Sequence, residues 1–99
     1  MNGEEWEWRG RVQRRYRILV PAVMRPLLLA SGIRPGALVR VNVYTGLDWV
    51  FWIARMPSDW RITVPSVYRQ ELRPGKIVDV YVELVLEPEE VEKYLRTRS

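Results

Sequence analysis

At 99 residues with a formal net charge of +4, the chain is long enough for one small domain, or for two very small units that share a core. An apolar fraction of 47% beside 28% charged residues excludes a disordered composition, and no apolar run approaches the roughly 18–20 residues of a membrane span. Cysteine and histidine are both absent, which excludes disulfides, thiol chemistry and Cys- or His-based zinc sites, and removes the commonest general base.

The charge is unevenly placed. Glu4, Glu5 and Glu7 open the chain without a base, whereas Arg9, Arg11, Arg14, Arg15, Arg17 and Arg25 follow with no acid among them. The stretch from Glu83 onward holds five acids against three bases. A basic block of this density is a candidate polyanion site; the alternative is a solvated face paired with the acidic ends. Arginine outnumbers lysine fourteen to two, as genome composition or a hot habitat would produce, and the guanidinium fork suits phosphate. The acidic start lacks the basic residues and apolar core of a signal peptide, so a soluble cytoplasmic protein is expected.

In chain order, WEWRGRVQ at 6–13 reads as a strand with Trp6, Trp8 and Val12 as its apolar positions, Arg14 and Arg15 form a turn, and YRILV at 16–20 is a second strand. Pro21 ends it, having no N–H for a ladder, and suits the first turn of a helix over AVMRPLLLA at 22–30. Pro26 would cost a helix begun at Ala22 a hydrogen bond, so the helix starts near Pro26 or kinks there. The RPG step at 34–36 is a tight turn, and LVRVNVY at 38–44 alternates as a half-buried strand does. WVFWIARM at 49–56 is apolar almost throughout and reads as a strand buried on both sides. MPSD turns, WRITV at 60–64 pairs back, Pro65 ends it, and SVYRQEL is a second helical segment of about one turn. A second RPG at 73–75 leads to the alternating strand IVDVYVELV. Residues 87–95 read as a terminal helix, with Pro88 at its start and Glu89 and Glu90 complementing the dipole.

These elements are written twice. At an offset of 44 residues, Trp8 falls on Trp52, Arg11 on Arg55, Tyr16 on Trp60, and Arg17, Ile18, Val20, Pro21 and Arg25 on Arg61, Ile62, Val64, Pro65 and Arg69. After a five-residue shortening, Arg34-Pro35-Gly36 meets Arg73-Pro74-Gly75, and Val39, Val41 and Val43 meet Val78, Val80 and Val82. The chain therefore divides into a first repeat over 4–46, a second over 48–86, and an acidic helix and tail over 87–99. Two copies are too few for a solenoid, so a two-fold arrangement around one core is expected.

An Arg-Ile-x-Val-Pro strand, a short helical segment with Arg four residues after the proline, then Pro-Gly and a Val-x-Val strand, resembles the AbrB/MazE/SpoVT family of swapped-hairpin domains, and both copies match. The resemblance implies a mainly β fold with short helices, in which two interlocked hairpin units share a partly closed β-barrel, here as an intramolecular pseudo-dimer; a homodimer of whole chains stays open. It also implies a DNA-binding transcription regulator or antitoxin-like protein. The family contacts DNA through basic residues of the first hairpin and near the helix start. Arg17 and Arg25 match those places in the first copy, and Arg61 and Arg69 in the second. Arg9, Arg11, Arg14 and Arg15 lie on the first hairpin, in the region the family uses. Ser58 and Asp59 stand where the first copy has Arg14 and Arg15, so any DNA surface is lopsided.

Other readings accompany this one. Arg17 and Arg61 could pair instead with an acid across the pseudo-two-fold, Asp59 being the candidate. Tryptophans at equivalent positions, Trp8 and Trp52, favour a shared core over a stacking platform. No nucleophile–base constellation and no GxxxxGK[ST] phosphate loop occurs, so a non-enzyme with no cofactor and no metal is expected. The expected partner is double-stranded DNA; the alternative is a protein-interaction module, an adaptor or subunit docking through a Trp-rich surface or the C-terminal helix. RNA or ribosome association is a third possibility.

Overall fold

The computed structural model describes residues 6–85; the expected terminal helix over 87–95 and the tail to 99 lie outside them. The described residues form, in order, β1 (Trp6–Arg11), β2 (Arg17–Leu19), α1 (Arg25–Ala30), β3 (Leu38–Tyr44), β4 (Trp49–Arg55), β5 (Arg61–Thr63), a 3₁₀ turn (Ser66–Tyr68) and β6 (Ile77–Leu84). The protein is mainly β. No helix among these residues is long and apolar enough to cross a membrane.

Four strands make one antiparallel sheet in the order β1-β6-β3-β4, and β2 and β5 make a separate two-stranded ribbon. Each ladder, β1–β6, β3–β6, β3–β4 and β2–β5, joins a strand from 4–46 to one from 48–86. Matching residues take matching places. Trp8 lies opposite Val80 and Trp52 opposite Val41, while Ile18 faces Ile62 in the ribbon. The Pro-Gly turns are pinned in the same crossed way. Gly75 N–H donates to Val12 O and Gly36 N–H to Met56 O, both at 2.7 Å. These glycines hold φ of +97° and +94°, a region open to glycine at little cost.

The core lies between the sheet and the ribbon. Val39, Val41 and Val43 of β3, Val78, Val80 and Val82 of β6, and both Trp8 and Trp52 are buried in one cluster with Ile18, Val20, Ile62 and Val64. Ile18 and Ile62 are essentially inaccessible, worth roughly 1.5–3 kcal/mol each in apolar burial. Leu28 of α1 and Leu72 beyond the 3₁₀ turn join the same cluster.

Two expectations are corrected. The sheet is open, not a closed barrel. β1 and β4 are its edges, because after each of them the chain turns away and its next strand pairs in the ribbon. β4 is not buried on both sides: Trp52 faces the core, but Trp49 and Phe51 are exposed on the other face, since none of the described elements covers that side of the edge strand. Of the two placements the sequence allows for the first helix, a start near Pro26 is the one the structure takes. The helix begins at Arg25, with Pro26 in its first turn, where the missing N–H would have no partner anyway. The second helical segment shrinks to the 3₁₀ turn.

The two hairpin tips are built on unusual backbone. Tyr16 and Trp60 take φ of +58° and +60°, which costs about 1–2 kcal/mol for a residue with a Cβ. Crossed hydrogen bonds hold them: Val64 N–H donates to Tyr16 O and Val20 N–H to Trp60 O, both at 2.8 Å. Arg15 also has positive φ, +63°, whereas Asp59, its counterpart, does not.

Two outcomes follow from this architecture. Fragments 1–46 and 47–99 prepared separately should each lack a cooperative unfolding transition as monomers, and mixing them should restore the β-type circular dichroism of the whole chain; a monomeric fragment that folds alone contradicts the crossed pairing. Arg15→Gly should stabilise the protein by up to about 1 kcal/mol by relieving the left-handed backbone, read as a higher urea midpoint; a lower midpoint contradicts it.

Candidate nucleic-acid interface

Ile18 and Ile62 point into the core, so their neighbours Arg17, Leu19, Arg61 and Thr63 point outward on the ribbon. The antiparallel register sets Arg17 against Thr63 and Arg61 against Leu19, which brings two arginines from distant parts of the chain onto one narrow strip. Arg25 and Arg69 flank it. Each donates its Nε–H to the carbonyl just before the proline of its own repeat, Arg25 to Val20 and Arg69 to Val64, both at 3.1 Å. Each also lies over an aromatic ring from the other repeat, Arg69 at 4.8 Å from the Tyr16 centroid and Arg25 at 5.9 Å from that of Trp60. That spacing is within cation–π range, and nearer for Tyr16. Their Nη groups make no hydrogen bond among the described residues.

Arg14 and Arg15 cap the strip from the tip of the first hairpin. Both are exposed, and neither forms an ion pair or side-chain hydrogen bond among the described residues. Residues 14–25 and 58–69 together carry six arginines and one acid, Asp59. Asp59 sits between two of those arginines. Its Oδ2 is 3.8 Å from Nη1 of Arg17 and 3.8 Å from Nη1 of Arg61, and its Oδ1 accepts the Arg61 backbone N–H at 3.1 Å. Both ion pairs are long and about half-exposed, with Asp59 at 48%, so each is worth no more than about 1 kcal/mol.

Arg9 and Arg11 occupy a different surface. Both stand on β1, alternating with the buried Trp8, and so face away from the core on the outer side of the sheet. Arg9 Nε donates to Asp79 Oδ1 on β6 at 3.0 Å, and that hydrogen bond, helped by the carboxylate charge, raises the arginine's already high pKa. Arg11 Nη1 donates to Gly75 O at 3.2 Å, and its counterpart Arg55 donates to Gly36 O at 3.0 Å. This pair braces the two Pro-Gly turns. Of the eight arginines singled out from the sequence, the ribbon thus gathers Arg14, Arg15, Arg17, Arg25, Arg61 and Arg69 and leaves Arg9 and Arg11 on the sheet.

Sequence reasoning missed the outer face of the sheet. Trp49 contacts Tyr44 at 5.3 Å and Tyr81 at 5.7 Å between ring centroids, and Arg40 lies 4.3 Å over Phe51. Trp49 and Phe51 are about half exposed there. The sequence carries no signal for this, because Trp49, Val50, Phe51 and Trp52 are all apolar and show no two-residue alternation.

No protein-family model matches the chain, and no curated relative matches it. Among solved structures the chain is similar to one described as the solution structure of PHS018 from Pyrococcus horikoshii. The two are 24% identical, the match covers 83% of this chain and 92% of that one, and the TM-score is 0.65. At this identity the likeness concerns the fold alone.

Proposed function

We propose that the chain is a duplicated swapped-hairpin protein of AbrB-like type, a cytoplasmic DNA-binding regulator that grips duplex DNA with the β2–β5 ribbon. The observation that carries this reading is the concentration of six arginines against one acid on the ribbon and its flanking turns, with Arg14 and Arg15 unengaged at the tip among the described residues. A two-stranded antiparallel ribbon is narrow enough for the major groove. The crossed ladders give one chain the two hairpin units that the family resemblance implies come from two chains. Most contacts would be to phosphate, which supplies affinity and register more than sequence choice. Arg25 and Arg69 are held by their Nε–H and ring contacts, so their Nη groups are presented in fixed directions at little further entropic cost.

A second reading is favoured by the exposed Trp49 and Phe51 on β4: a protein partner docks on the outer sheet face, and the ribbon serves another purpose or none. The two readings use opposite surfaces, so one set of variants separates them.

Binding of a random-sequence duplex should fall with salt at a log–log slope of about −4 to −5 if four to six arginines meet phosphates. Arg14→Ala combined with Arg15→Ala should flatten that slope by about 2, while Trp49→Ser leaves it unchanged. No binding at low salt contradicts the DNA reading; loss through Trp49 but not through the arginine pair moves the site to the sheet.

A further inference from the structure

We propose that Asp59 is an internal anion occupying the place of a nucleic-acid phosphate between Arg17 and Arg61, so that these two arginines are withheld from the duplex until the carboxylate is displaced or neutralised. This inference rests on the reading of the ribbon as a polyanion surface.

Two guanidinium groups on different strands converge on one oxygen, each with Nη1 3.8 Å from Asp59 Oδ2. Guanidinium groups bind carboxylate and phosphate oxygens by the same charge-assisted chemistry, so a backbone phosphate suits the point on which the two arginines converge. The distance exceeds the 2.7–2.9 Å of a charge-assisted hydrogen bond, so the carboxylate compensates the arginine charges without saturating their donors. Its other oxygen accepts the Arg61 backbone N–H at 3.1 Å, which anchors the carboxylate in the hairpin turn. A phosphate arriving from solvent has no such tether. The arrangement belongs to one hairpin only: Arg15 stands where the repeat places Asp59. The first tip thus presents cations directly, while the second keeps its pair covered, and the ribbon has a strong end and an attenuated one.

Asp59→Asn is the informative substitution, since the amide oxygen still accepts the Arg61 N–H while the charge is lost. Asp79→Asn makes the same change in net charge on the outer sheet face, where Asp79 pairs with Arg9. Each full-length variant is compared with the native chain by duplex binding over a salt series, and by titrating inorganic phosphate against the NMR signals of the Arg17 and Arg61 Nε–Hε groups. Asp59→Asn should tighten binding several-fold at low salt and steepen the slope by about 1 to 2, with Asp79→Asn unchanged. Phosphate should shift the Arg17 and Arg61 signals at lower concentration in Asp59→Asn than in the native chain. The proposal is overturned if Asp59→Asn binds duplex like the native chain, if Asp79→Asn steepens the slope equally, or if Asp59→Asn binds more weakly, which would make the carboxylate a direct DNA contact. If no form binds duplex, the DNA reading falls and the phosphate titration alone decides: shifts at Arg17 and Arg61 in Asp59→Asn uphold the anion site, and their absence overturns it.

Discussion

A buried peptide group without a hydrogen-bond partner costs about as much as a lost hydrogen bond, and in this chain the strands of each repeat find their ladder partners in the other repeat. Neither half of about forty residues could bury enough surface alone. The three-residue strands β2 and β5 show the constraint most plainly. Each is cut short by the proline one residue beyond the adjoining valine, and the ladder that each forms is with the other. Their pairing places Ile18 against Ile62 and puts a lid on the valines of β3 and β6. The positive φ at Tyr16 and Trp60 belongs to the same arrangement, since the carbonyls released there accept the N–H groups of Val64 and Val20.

The surface inherits this symmetry and then departs from it. Because the crossing is reciprocal, Arg17 and Arg61 meet on one strip, and Arg25 and Arg69 each reach a ring from the opposite repeat. The four positions are equivalent in the repeat, and Arg25 and Arg69 are held in equivalent ways. The tips do not. The first offers Arg14 and Arg15, the second Ser58 and Asp59. The surface is therefore unequal from end to end at these two positions, while the ladders beneath are matched.

Much of the fold was legible because repetition doubles every signal. Trp8 and Trp52, or Val41 and Val80, each support the other's reading as core, and both pairs are buried. Prolines marked where both ribbon strands stop, and Pro26 marked the true start of the helix. Closure of the sheet was not legible, because it depends on where the chain goes after β1 and β4 and not on any residue within them. For the same reason an apolar run such as WVFWIARM could not reveal that it forms an edge: hydrophobicity reports what a residue prefers, whereas exposure of Trp49 depends on whether another element arrives to cover it. At the site, the ribbon arginines were visible as a basic block, and Asp59 as a possible partner. The separation of Arg9 and Arg11 from the rest was not visible, since it follows from the break between β1 and β2, which sends consecutive arginines to opposite faces of the molecule.

The central claim is that the crossed ladders close within one chain. Isotope-filtered NOE spectroscopy on an equal mixture of differently labelled chains tests it most directly. The uniformly labelled protein should show NOEs between Trp8 and Val80 and between Ile18 and Ile62, and the filtered spectrum of the mixture should show none. The same NOEs appearing in the filtered spectrum would mean that the strands are exchanged between chains, and would contradict the account.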